Sequence, residues 1–287
     1  MTRVGPVLVV VCAIIAVWYG ATVWLNSAWV YDQAARSGQA VGFWDMVGQT
    51  MALDRPVLPA PHQVVMGLWD GVTGQKVTSK RSLVYHGWIT LEATGLGFII
   101  GTVAGLLLAV ALVHNKALDM SFMPWAIASQ TIPVLAIAPM VIVVLASLGV
   151  KGLLPKALIA AYLSFFPVLV GMVKGLRAPD AMQIDLLRTY GAPKAAIFWK
   201  LRLPSSMAYF FASLKVGVAA ALVGTIVAEL PAGAVAGLGA RLLQGSYYGQ
   251  TVQIWAALIA AACLAAVLVG LVGLIEAVVL KRMGLVR

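Results

Sequence analysis

A succession of apolar runs, each too long for a water-soluble core, constrains this chain more than any other feature. Residues 7–25, 86–113, 122–148, 157–173, 207–228 and 252–280 carry few or no charges. A helix crossing the hydrocarbon core of a bilayer needs about 20 such residues. Only helices or closed barrels satisfy their backbone polar groups there. Six runs of this kind predict an all-α, polytopic membrane protein with about six transmembrane helices.

Composition agrees. Of 287 residues, 62% are hydrophobic and 10% are charged, against about 25% charged in soluble domains. The net charge is +10. In a membrane protein that excess reads as Lys and Arg gathered in cytoplasmic loops, not as a nucleic-acid surface. Cys12 and Cys263 both fall inside apolar runs with no CxxC spacing, so they read as small core residues. The first run follows a single basic residue, Arg3, and carries Trp18, Tyr19 and Trp24. A cleaved signal peptide competes for this run. Its length and its interfacial aromatics favour a retained span.

The boundaries that follow are an N-terminal transmembrane helix over 1–25, an external segment over 26–85 and a transmembrane domain over 86–283. The external segment has five basic and four acidic residues and clusters Pro56, Pro59 and Pro61. Amphipathic helices are expected within it near 43–51 and 62–71. Orientation rests on the loop 174–204. Six basic residues there face two acidic ones, a net of +4, and the C-terminal tail adds Lys281, Arg282 and Arg287. The positive-inside rule puts this loop and both termini in the cytoplasm. Lys151 and Lys156 fall on the outer side and oppose that orientation weakly.

Several residues stand out within the spans. Gly97, Gly101 and Gly105 recur every four residues, which places them on one helix face where another helix can approach closely. Pro133 and Pro139 fall in the third run and are expected to kink it, either with no role or beside a cavity. Ionisable residues inside spans are functional candidates by default. Glu92 and Glu229 are candidates for lining a polar pathway. Lys215 is expected to snorkel and Glu276 to sit at the interface. The stretch 229–250 reads as a Gly-rich loop. In it, Tyr247 and Tyr248 are placed to stack a planar solute or, preferably, to form an interfacial belt. Arg241 faces either an anion or solvent.

The basic loop is the most informative segment. Asp180 suits a helix N-cap, Gly191 the left-handed residue that ends a helix, and Pro193 the first turn of a second helix, which Pro204 closes. The exposed apolar residues expected on this unit are Leu186, Leu187, Ile197, Phe198 and Trp199, more than a simple connection needs. That predicts docking of a cytosolic partner.

The spacing of this loop resembles the coupling loop of ABC importer permeases. Their pattern is Glu-Ala-Ala, three residues, Gly, nine residues, Ile, one residue, Leu-Pro. Here Asp185, Leu186 and Leu187 occupy the opening, Gly191 follows at the right distance, and Leu201, Leu203 and Pro204 close it. The opening and Leu201 depart in residue type while the spacing is kept. Leu58-Pro59-Ala60-Pro61, Gln130-Thr131-Ile132-Pro133 through Ala138-Pro139, and Val227-Ala228-Glu229 are similar to the nitrate/sulfonate/taurine branch over roughly residues 57–283.

The resemblance implies a type I ABC importer permease fold in the bacterial inner membrane. It implies a second copy of the chain, two cytosolic ATPases and a periplasmic solute-binding protein as partners, with membrane lipid around the spans and no nucleic acid. It implies a small anion or a heterocyclic, pyrimidine-like solute. ATP and Mg belong to the partner ATPase, because this chain has no Gly-x-x-x-x-Gly-Lys-Ser/Thr sequence. No nucleophile–base set and no metal-ligand cluster is visible, and His62, His86 and His114 are scattered. No catalytic residue and no metal is therefore expected in the chain. A secondary transporter working without an ATPase is the alternative, and it leaves the docking loop without a use.

Overall fold

The computed structural model describes residues 4–38, 40–231 and 235–284. Arg3 and Arg287, which entered the sequence reading, and residues 232–234 of the stretch 229–250 lie outside that set. The elements in chain order are α1 (Val4–Ser37), α2 (Phe43–Met51), α3 (Pro61–Val72), α4 (Leu83–His114), α5 (Lys116–Ser129), α6 (Val134–Ser147), α7 (Leu153–Leu176), α8 (Ala181–Thr189), α9 (Lys194–Ile197), α10 (Leu203–Ala228), α11 (Leu238–Tyr247) and α12 (Thr251–Arg282). Among the described residues no strand occurs. Among those residues five helices are long and apolar enough to span a membrane, and the bent pair α5–α6 makes a sixth if it is one span. The expected amphipathic helices are α2 and α3.

Backbone packing divides the chain into two units, Met1–His86 with Ala240–Ala261, and Gly87–Gly239 with Ala262–Arg287. In the first unit the proline-rich segment is pinned by buried polar side chains. Asn26 is fully buried; its amide donates to the Leu58 carbonyl at 2.9 Å and its oxygen accepts from Val57 N at 2.8 Å. Trp18 Nε1 donates to Pro59 O at 3.0 Å, and the rings of Trp18 and Trp255 lie 5.0 Å apart. Three prolines leave few backbone donors, so these side chains satisfy carbonyls that would otherwise be stranded. α1 itself continues to Ser37, past the expected end at residue 25. Hydropathy falls after Leu25, but no helix breaker intervenes, and Asp32 and Arg36 form an (i, i+4) ion pair at 2.7 Å.

The second unit is built on close helix approach. A Cβ on Gly97 would fall 2.4 Å from the Ala157 carbonyl oxygen, and one on Gly101 would fall 2.2 Å from Ser164 Oγ. On Gly105 it would meet Phe165 O at 2.9 Å. The glycine stripe of α4 therefore lies directly against α7, as its spacing predicts. Gly171 and Gly175 of α7 repeat the device against Ser213 and Ser206 of α10. At one end of this unit Leu112, Leu169, Met172, Leu176 and Phe198 form a packed cluster.

Four expectations are corrected here. The third run is not one kinked helix: α5 and α6 meet at 99°, and Pro133 is the N-cap of α6 while Pro139 lies inside it. The carbonyl of Ser129 would have accepted from the nitrogen of residue 133, where proline has no N–H. The Tyr162 hydroxyl of α7 donates to that carbonyl instead. Pro204 does not close a separate helix. α9 passes through a π-helical turn, Phe198–Arg202, straight into α10. The proline falls where the π turn meets α10, and the helix continues past it. The glycine-rich loop contains the ten-residue helix α11. Finally, Lys215 and Glu276 are not separate charges, as the sequence reading treats them, but pair with each other. Facing α10 and α12 supply the two charges, which no single-helix reading could match.

Candidate functional site

The loop between α7 and α10 forms the expected helix–Gly–helix unit. Met182 N donates to Asp180 Oδ1 at 3.2 Å, and Asp180 N donates to Gln183 Oε1 at 3.3 Å, a reciprocal capping box. At the other end Gly191 has φ +71°. Gly191 N bonds Arg188 O at 2.9 Å and Ala192 N bonds Leu187 O at 3.0 Å, the pair of contacts that closes a helix through a left-handed residue. Asp185 lies on the exposed face of α8, 3.1 Å from Arg188. Leu186 is exposed, as are Met182, Tyr190 and Trp199. Leu187, Leu201, Leu203 and Pro204 are half-buried. Ile197 and Phe198 are buried, and Phe198 packs on His114 with ring centres 5.2 Å apart. Those two belong to the core and not to the exposed face expected of them, because the continuous α9–α10 helix turns that side inward.

A second constellation lies at the end of the unit where α10 finishes and α7 begins. Glu229 is fully buried. Its Oε1 accepts from Lys156 Nζ at 3.1 Å. Its Oε2 accepts from Thr90 Oγ1 at 2.9 Å and Gly239 N at 3.0 Å. Thr90 Oγ1 in turn accepts from Leu238 N at 2.9 Å, and Lys156 Nζ donates to Ala236 O at 2.8 Å. A buried charge is tolerated when it is paired and hydrogen-bonded in this way. A Cβ on Gly237 would fall 2.0 Å from the Glu229 carboxyl carbon, so glycine leaves the space the carboxylate fills. The network ties α4, α7, the end of α10 and the start of α11 into one knot. Sequence reading found Glu229 but missed Lys156, 73 residues away; an unneutralised lysine beside an apolar span was its only signal.

Beside the knot is a cavity of about 530 Å³ lined by Ile89, Glu92, Ile142, Lys151, Lys156 and Ala236, among others. Glu92 is exposed on α4 and accepts from Trp88 Nε1 at 2.5 Å. Glu229 does not line the cavity; Lys156, its partner, does. Pro133 and Pro139 shape the α5–α6 bend, and neither lines the cavity. Tyr247 and Tyr248 belong to the first unit, at the end of α11, and are exposed. In that unit Arg241 reaches Arg81 O at 3.4 Å. Burial and then the charge of Arg81 push the Arg241 guanidinium below its ordinary value; an arginine stays charged nonetheless.

Residues 101–285, more than half of the chain, match the family described as the binding-protein-dependent transport system inner membrane component. The chain is 31% identical over 194 residues to the formylaminopyrimidine transport permease protein ThiX of Halalkalibacterium halodurans, covering 68% of this chain and 71% of that protein. It is 30% identical over 225 residues to the riboflavin transport system permease protein RibX of Chloroflexus aurantiacus, covering 78% and 80%. A bicarbonate transport system permease protein, CmpB of Synechocystis, is 24% identical over 160 residues, covering 53% and 54%. With its membrane-spanning helices and glycine-packed core, the chain belongs to the binding-protein-dependent transport inner-membrane components, the multi-pass permeases of ABC importers, which are transport proteins and not enzymes.

Proposed function

We propose that this permease moves its solute through an assembly of two copies of the chain, two cytosolic ABC ATPases and an external solute-binding protein. The loop 174–204 docks on the ATPase, with Asp185, Leu186, Leu187, Gly191, Leu201, Leu203 and Pro204 shaping the contact. ATP and Mg are bound by the ATPase. The observation that carries this reading is the doubly capped helix α8, which holds Met182, Leu186 and Tyr190 in solvent on a rigid turn. Exposed apolar residues on a well-determined support mark a protein contact. Its basic character supports a cytoplasmic side for the loop and both termini in a bacterial inner-membrane protein. The opposite end, with the Glu229–Lys156 knot and the cavity, then faces outward.

The solute is a small anion or a heterocyclic, pyrimidine-like compound, in keeping with what the relatives are named for. Glu92, Glu229, Pro133, Pro139, Tyr247 and Tyr248 are the pathway candidates. Co-purification tests the coupling reading. The detergent-solubilised chain is expected to retain the ATPase encoded nearest to it, and to lose it when residues 180–204 are replaced by a flexible linker. No association with any candidate ATPase would favour a transporter working without one.

A further inference from the structure

The cavity beside the Glu229 knot has charges that no part of the fold fully uses. Its walls are mostly aliphatic, with Ile89, Ile142, Ala146 and Val150 among them. Its volume of about 530 Å³ falls within the range of small-molecule sites, roughly 300–1,000 Å³. Three charged side chains reach it: Glu92, Lys151 and Lys156.

Each has capacity left. Glu92 Oε1 takes the indole N–H of Trp88 at 2.5 Å, and among the described residues no donor reaches Oε2. Lys156 gives two of its three protons, to Glu229 and to Ala236. Among the described residues Lys151 has no ion-pair partner, and neither lysine pairs with Glu92. The lining therefore offers both an acceptor and donors. The formal charges cancel: Glu229 neutralises Lys156 within the knot, and Glu92 and Lys151 add one charge of each sign to the lining.

We infer that this cavity is a solute subsite for an uncharged or zwitterionic small molecule with an apolar body, and that it disfavours a free anion. A free anion entering it would leave water for an aliphatic space with no net positive charge. The Glu92 carboxylate would repel it, so its desolvation would go uncompensated. A heterocycle with an amino group and ring nitrogens places its N–H on Glu92 and its acceptors on the lysines. A zwitterion does the same with its ammonium and its acid group. This inference rests on the permease reading and sharpens its solute class.

The test uses the chain co-purified with its ATPase in lipid nanodiscs. Three probes are compared by direct binding: 4-amino-2-methylpyrimidine, uncharged; taurine, a zwitterion; and ethanesulfonate, a monoanion. The unmodified protein is expected to bind the pyrimidine or taurine at least about tenfold more tightly than ethanesulfonate, the scale of one charged hydrogen bond. Glu92→Gln, which is isosteric, is expected to weaken that preferred probe and to strengthen ethanesulfonate, each by about tenfold. Lys151→Gln should weaken taurine without strengthening ethanesulfonate. Tightest binding of ethanesulfonate to the unmodified protein would overturn the inference. So would an unchanged ratio of the preferred probe's affinity to that of ethanesulfonate in Glu92→Gln, or no binding of any probe. Retained ATPase in those samples leaves the coupling reading standing, whereas loss of the ATPase with the ranking intact defeats only the coupling reading.

Discussion

The ammonium of Lys156 lies 3.1 Å from Glu229 Oε1 and 2.8 Å from the carbonyl oxygen of Ala236. One side chain at the start of α7 thus holds both the residue that caps the end of α10 and the segment leading into α11. The glutamate side chain is 0% exposed and the lysine 14%, so the glutamate charge cannot turn to water if the lysine is removed.

Lys156→Met is therefore expected to destabilise the protein by about 3–5 kcal/mol, the usual cost of stranding one member of a buried pair. Glu229→Gln should cost less, because the amide oxygen still accepts from Thr90 or Gly239. The double variant Lys156→Met/Glu229→Leu should recover much of the loss. Thermal unfolding of the detergent-solubilised protein checks all three. Equal losses in the single and double variants would show that the pair contributes nothing as a pair.

At Gly191 the constraint is the backbone and not space, since nothing lies within 4 Å of a Cβ there. With φ at +71°, alanine should cost about 1–2 kcal/mol, while asparagine should be tolerated. Gly191→Trp should leave the chain inserted, and uptake assays should show it uncoupled from the ATPase. Normal uptake by that variant would remove the docking role of the loop.

The Tyr162 hydroxyl joins a long 3.4 Å bond from Ile132 N on the Ser129 carbonyl, which Pro133 leaves without its helical donor. Tyr162→Phe is expected to lower stability by about 1–3 kcal/mol. Pro133→Ala in the same background restores a backbone N–H and should recover part of the loss by straightening the bend. Unfolding midpoints of the single and double variants provide the measurement.

Gly101→Ala should destabilise by about 1–3 kcal/mol through overpacking, because its Cβ would meet Ser164 Oγ at 2.2 Å and Ala161 O at 2.6 Å. Gly95→Ala on the same helix, with nothing within 4 Å, should be neutral or slightly stabilising. The contrast in melting temperature distinguishes close packing from helix propensity.

Much of the architecture is written locally. Apolar length predicts where chains cross a membrane, because lipid imposes one requirement on every span. The stripe Gly97, Gly101 and Gly105 and the Asp180–Gly191 helix were equally legible, since caps and close-packing faces depend on residues a few positions apart. Helix ends were less so. α1 runs to Ser37 because helices stop at breakers and not where hydropathy falls. α11 was hidden by its glycines, and Pro204 misled because a π turn re-phases the helix before it.

The sequence by itself determined that this is a membrane protein of helices, where its apolar runs lie, and that one basic loop carries a capped, exposed helix ended by Gly191. Tertiary structure alone decided which charges meet. Lys156 with Glu229, Lys215 with Glu276, and the Tyr162 hydroxyl with the Ser129 carbonyl join residues 73, 61 and 33 positions apart. Each pairing depends on how helices pack against one another, and no local periodicity carries that information. The same holds for the cavity, whose glutamate lies on α4 and whose lysines lie just before and at the start of α7, and which becomes one site only when those elements are assembled.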